Sequence, residues 1–181
     1  MSNFLSFLAR ACFVAMITLG LLKLDDYTMP TPEKAVVEMK KPYTNDDVDV
    51  LALNIYHESR GLRGKGSVGW RAVAAVVFNR LNSPKFPKTV RGVVYEKKGE
   101  CAFSWVCANF VNAPIRNKKL FAEIRGETER YLFEYHTGMW QDPVRGAHSY
   151  HARTVKPNKY FQKLTVVAVI QDGIQTHYFY V

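Results

Sequence analysis

Between Ser67 and Asn82 the chain carries Ala72-Val73-Ala74-Ala75-Val76-Val77-Phe78, seven apolar residues without a break. A helix that is apolar on every side cannot lie on a surface, so other elements must enclose it. Ser67 is placed to cap this helix, and Ser83-Pro84 to stop it. Gly69, Val73, Val76, Val77 and Arg80 form its main stripe, and Trp70 near its start is expected to pack.

Two amphipathic runs flank this core helix. Upstream, Val48, Leu51, Ala52, Ile55 and Tyr56 repeat at helical spacing, with Thr44 as the cap and Asp47 as its capping-box partner. Downstream, Leu120, Phe121, Ile124, Thr128, Tyr131, Leu132 and Tyr135 make the cleanest stripe in the chain, with Gly138 as a stop. Thr89 to Tyr95 is a short helix or a strand, and Gly146 to Ala152 reads as a polar and aromatic loop. Leu164–Ile170 and Ile174–Val181 are β-rich and joined by Gln171-Asp172-Gly173, a hairpin signal. The expected fold class is α+β: a mostly helical domain with a C-terminal β-hairpin.

The front of the chain is different. Ala11 to Leu22 is almost wholly apolar and lies between Arg10 and Lys23. Residues 1–24 therefore read as a signal peptide or an uncleaved signal anchor. Residues 25–43 hold Pro30, Pro32 and Pro42 among charged residues and read as an extended linker. The body, residues 44–181, would then be carried across the inner membrane, anchored to it or facing the wall. Among 181 residues the net charge is +9, and the excess lies downstream of residue 26. A basic exported body suits an anionic wall polymer; nucleic acid is not expected, because the basic residues are scattered.

The candidate chemistry centres on Glu58, within Ile55-Tyr56-His57-Glu58-Ser59-Arg60-Gly61. The helix delivers this carboxyl to the edge of a turn containing Gly61, Gly64 and Gly66. A carboxyl between a core and an open turn is in the kind of environment that keeps an acid protonated near neutrality. His57-Glu58 begins like a zinc-protease helix, but Gly61 stands where the second histidine is required. His148 and His151 have no completing ligand cluster, so neither a metal nor another cofactor is expected. Cys101 and Cys107, six apart in an exported body, are expected to form a disulfide.

Several blocks together resemble one family. Ile55–Gly61 followed by Val73-Ala-Ala-Val-Val-Phe-Asn-Arg80 is similar to the SleB-type, spore-cortex-lytic cell-wall hydrolases. Phe86-Pro-Lys-Thr-Val90, Gly92-Val-Val-Tyr95, Cys101-Ala-Phe-Ser-Trp-Val-Cys107, Gly146-Ala-His-Ser-Tyr-His-Ala152 and Leu164–Ile170 follow in the same order. The resemblance implies a compact, lysozyme-like domain cutting peptidoglycan between N-acetylmuramic acid and N-acetylglucosamine, with the catalytic glutamate at Glu58. The sequence departs from the family pattern at Ser59, at Leu62 and at His148-Ser149, and the last departure makes His151 the safer choice in that loop.

The reaction that the resemblance implies is lytic transglycosylation by one glutamate, and Glu96, Glu100, Glu123, Glu127 and Asp142 sit in no matching motif that would supply a second carboxylate. Hydrolysis by a muramidase and a non-catalytic wall-binding module are the alternatives. Ser104, Tyr150 and His151 are candidates for binding sugar hydroxyls and N-acetyl groups, and Phe103 and Trp105 for stacking on a sugar face. The expected partners are peptidoglycan strands and, through the N-terminal segment, the membrane; the body is expected to be monomeric. The role would be wall remodelling or phage-type lysis.

Overall fold

The computed structural model describes residues 40–59, 67–108, 112–173 and 175–181. The expected signal or anchor, nearly all of the linker, and the glycine turn with Leu62 lie outside the described residues. Lys40–Val181 forms one compact unit. Ahead of position 44, Lys41 pairs with Glu129, and Tyr43 stacks on His136 at 5.9 Å.

The described elements, in order, are α1 (Asn45–Glu58), α2 (Val68–Asn82), α3 (Val90–Val94), β1 (Lys97–Lys98), β2 (Glu100–Cys101) and α4 (Ser104–Cys107). They continue with α5 (Lys118–His136), β3 (Ser149–Ala152), a 3-10 turn (Phe161–Lys163), β4 (Val166–Asp172) and β5 (Gln175–Tyr180). Among the described residues no helix is long and apolar enough to cross a membrane.

Both long N-terminal helices start where their side chains dictate. Thr44 and Asp47 form the reciprocal capping box of α1, and Ser67 caps α2 by accepting from the Trp70 N–H. The apolar run in α2 is enclosed as its composition demands, since Ala72 through Phe78 are all buried. Packing α1 against α5, α3 and α2 closes the main core around Leu51, Ile55, Val77, Phe78, Ile124 and Leu132. Burying each large side chain of this kind stabilises the fold by about 1.5–3 kcal/mol. The segment Thr89 to Tyr95 resolves as helix: Thr89 accepts from the Gly92 N–H, and Val90, Val93 and Val94 point into the core.

The C-terminal region is more than a hairpin. β4 and β5 pair antiparallel, and β3 adds to the other edge of β5, so the sheet order is β3-β5-β4. The segment read as a loop therefore holds a strand. Ser149, Tyr150, His151 and Ala152 pair with Tyr180, Phe179, Tyr178 and His177, which gives each ring a cross-strand partner. Two ties bind the sheet and the loop leading into it to α2. Asp172, at the end of β4, accepts from the Ser67 hydroxyl and from the Gly69 N–H at 3.1 Å. Asn79 Nδ2 donates to Asp142 at 3.0 Å and to the Ala147 carbonyl at 3.1 Å. Arg145 and Gly146, both at positive φ, turn the chain from that anchor into β3.

Candidate active site

A cleft of about 650 Å³ lies between the end of α1 and the sheet. Its helical wall carries His57 and Glu58 from α1, Arg80 from α2, and the run Glu100 to Ser104. The opposite wall is β3 with Gln175 and His177 of β5, closed at one end by Val155, Asn158, Tyr160 and Phe161.

Glu58 is the last residue of α1 and is half-buried. Behind it the helix is closed by Ser59, 1% exposed, whose backbone N–H donates to the Ile55 carbonyl at 2.9 Å. The Ser59 hydroxyl donates to the same carbonyl, so serine's extra polar atom is satisfied at this buried position. Across the cleft, the Tyr150 hydroxyl donates to Glu58 Oε2 at 2.9 Å. Desolvation, and then the adjacent Glu58 charge, push the Tyr150 phenol well above its ordinary range. The phenol therefore keeps its proton and remains the donor in this pair.

His57 packs its ring on Trp105 at 4.7 Å, and Trp105 Nε1 donates to Asn54 Oδ1 at 2.8 Å. Trp105 is buried and does not line the cleft, so it supports α1 and is not a stacking platform for sugar. Phe103 does line the cleft, yet it is 3% exposed and its ring lies 4.9 Å from the Arg80 guanidinium. Ser104 is exposed on the same wall. Cys101 and Cys107 are disulfide-bonded, with Cα atoms 5.9 Å apart, and the bridged loop contains both Phe103 and Ser104. His151 lines the cleft, with Nδ1 2.8 Å from the Ala152 carbonyl and Nε2 2.8 Å from the Tyr180 hydroxyl. His148 stays outside, its ring stacked on Phe86 at 5.4 Å.

The structure also sorts the remaining carboxylates. Asp142 accepts from the Val144 and Gly146 N–H groups and shapes its own loop. Glu127 pairs with Arg130, Glu96 with Lys98, and Glu123 is exposed on α5. Glu100 alone of the five lines the cleft. No group of three possible metal ligands occurs among the described residues.

A family model described as Cell Wall Hydrolase matches residues 64–180. The chain belongs to the cell wall hydrolase family. Glu58 lies just ahead of the matched stretch, while Arg80, the disulfide loop and all three strands of the sheet lie within it. The chain is 43% identical over 72 residues to the spore cortex-lytic enzyme of Bacillus subtilis, covering 36% of this chain and 23% of that one. It is 48% identical over 54 residues to the spore cortex-lytic enzyme of Halalkalibacterium halodurans, covering 30% and 16%. The matches thus span about a quarter or less of these relatives' lengths. Among solved structures, the catalytic domain of the Bacillus cereus SleB protein aligns with a TM-score of 0.55 and 25% identity, over 78% of this chain and 94% of that one. The catalytic domain of the germination-specific lytic transglycosylase SleB from Bacillus anthracis aligns with the same TM-score and identity, over 78% and 99%. The α+β architecture of this cell wall hydrolase is that of the SleB catalytic domain.

Sequence reasoning placed Arg80 in the core stripe of α2 and not in the site. The signal was present, since Arg80 is the one cation in that stripe. Ser149, Tyr160 and His177 also line the cleft and carry no such local signal. Ser149 and His177 reach the cleft through the pairing of β3 with β5, which no local pattern reports, and Tyr160 lines it from the segment between β3 and β4.

Proposed function

We propose that this cell wall hydrolase cuts the glycan strand of peptidoglycan between N-acetylmuramic acid and N-acetylglucosamine, outside the cytoplasmic membrane, by lytic transglycosylation. The observation that carries the reading is the Glu58 carboxyl at the mouth of the cleft, oriented by the Tyr150 hydroxyl at 2.9 Å. Glu58, protonated, gives its proton to the glycosidic oxygen as the bond to the muramoyl C1 breaks. The N-acetylglucosamine leaves with a free C4 hydroxyl. Positive charge develops on the muramoyl ring, and the ring's own C6 hydroxyl closes on C1. Its proton returns to Glu58, which completes the cycle and leaves a 1,6-anhydro end. Tyr150 holds the carboxyl in place through both proton transfers. Ser104 and the polar groups of the sheet wall are positioned for the sugar's hydroxyl and N-acetyl groups.

Similarity to a SleB domain named as a lytic transglycosylase supports this route. A second reading, hydrolysis, is favoured by one observation: Glu100 lines the same cleft and could activate a water. Mass spectrometry of muropeptides after digestion of purified peptidoglycan separates the two. Transglycosylation yields muramoyl ends that borohydride cannot reduce and that are one water lighter. Reducible muramic acid as the main product establishes hydrolysis, and Glu100→Gln then tests the base. No new ends of either kind would leave a binding module.

A further inference from the structure

The reaction above makes no use of Arg80, although it lines the cleft. This side chain is only 7% exposed. Its Nε donates to the His148 carbonyl at 2.8 Å, and its Cζ lies 5.3 Å from the Phe86 ring and 4.9 Å from that of Phe103. Its Nη1 is buried without a hydrogen-bond partner, and the guanidinium makes no ion pair with any described residue. Glu58 and Glu96 face it and favour its charge, but neither comes within ion-pair distance: Glu58 receives the Tyr150 hydroxyl, and Glu96 lies 2.6 Å from the Lys98 ammonium. Burial lowers the Arg80 pKa, but a guanidinium does not give up its proton in a protein.

A buried guanidinium with an N–H left unpaired and no carboxylate in contact is costly to keep unless a ligand supplies the missing acceptor. The guanidinium fork matches a carboxylate better than any neutral sugar oxygen. The two sugars of the strand differ in this respect. The muramoyl unit bears a lactyl group ending in a carboxyl function, and N-acetylglucosamine bears none. We infer that Arg80 is a specificity residue that takes a carboxylate of the muramoyl unit, and so fixes which of the two sugars sits beside Glu58. This deepens the glycan-cleaving reading and rests on it for the identity of the polymer. Two sources offer the same chemistry: the free lactyl carboxylate of a strand stripped of peptide, and the carboxylates of the peptide stem. If the lactyl group is the ligand, an amide-hydrolysing reaction that removes the stem must come first.

Binding is read on the full chain carrying Glu58→Gln, with N-acetylmuramic acid, its methyl ester and N-acetylglucosamine as probes. The free acid should bind about tenfold or more tighter than the other two, the scale of a charge-assisted hydrogen bond. Arg80→Met should bring that ratio toward one, and Arg80→Lys should restore part of it. Equal binding of acid and ester by the protein with Arg80 intact overturns the inference, whether or not the Arg80 variants fold. So does an acid preference that survives in folded Arg80→Met.

Turnover by the unmodified protein then identifies the source. Faster cleavage of amidase-stripped strands assigns the lactyl carboxylate, and faster cleavage of peptide-bearing strands assigns the stem. Undiminished cleavage after amidation of every carboxyl group overturns the inference while leaving the glycosidase reading intact. Acid-selective binding without cleavage of any strand removes the glycosidase reading and leaves Arg80 as the carboxylate site.

Discussion

The helical wall of the cleft is fixed by apolar packing: Leu51 and Ile55 of α1 and Val77 and Phe78 of α2 are fully buried, and Glu58 is the end of that rigid body. The sheet wall is held largely by rings and hydrogen bonds, His151 to Tyr180, Tyr150 on Phe179 at 5.3 Å, and Ser149 to Tyr160 at 3.1 Å. β4 forms its outer edge, with Val166 and Val169 exposed. Packing of the first kind is dense and insensitive to solution conditions, whereas polar pairs depend on protonation and on each partner being present. The division suits the proposed reaction, in which Glu58 is held still as proton donor and the opposite wall supplies directional contacts.

The largest effect that would sharpen this contrast is Glu58→Gln. It should lower turnover of peptidoglycan by about 10²–10⁴-fold or more, while the thermal midpoint stays within a degree or two of the parent. Near-normal turnover in a stable variant would remove Glu58 from its role. Next comes a paired test of stability. Leu51→Ala in the helical wall should cost about 2–5 kcal/mol in denaturant unfolding. Tyr180→Phe, which takes away the partner of His151, should cost about 1–3 kcal/mol. Equal costs would mean that both walls rest on the same kind of packing.

Tyr150→Phe keeps the ring on Phe179 but removes the hydroxyl that reaches Glu58. A hydrogen bond to a charged group is worth about 1.5–3 kcal/mol, so kcat should fall about ten- to a hundredfold with KM little changed. A rise in KM alone would place Tyr150 on the sugar and not on the acid.

The smallest effect is a pH dependence. Burial lowers the pKa of His148 and, aided by the charge of His151, that of His177, both below the ordinary 6.5. In the unfolded chain these histidines take up a proton near pH 6.5, while the folded protein resists until the pH is lower. Unfolding thus binds protons in that window, and stability should fall as pH drops below about 6.5. Urea midpoints from pH 8 to 5 check this, and His177→Gln should flatten the slope.

Much of the helical wall could be read from spacing alone. The Thr44–Asp47 box, the Ser67 cap and the enclosed Ala72–Phe78 run are local patterns, and local hydrogen bonds and burial realise them. Glu58 was legible for the same reason, as the residue at the end of a periodic stripe. The sheet wall was not. Ser149 to Ala152 becomes a strand only by pairing with residues about 30 positions away, and its four residues give too short an alternation to announce itself. The aromatics are sorted in a related way. Phe103 and Trp105 belong to the expected segment, but one lies under a guanidinium and the other behind His57, because a long-range contact decides which face of a ring is free.

The bridge between Cys101 and Cys107 makes part of this wall a closed ring of chain. The four-residue helix α4 inside it is far too short to persist alone. A ring has no loose end to fray, so Ala102, Phe103, Ser104 and Trp105 are held together as one plate. That plate bears on Arg80 through Phe103 and on the end of α1 through Trp105 and His57. Whatever touches Ser104 in the cleft therefore touches a plate that leans on the end of the helix carrying Glu58.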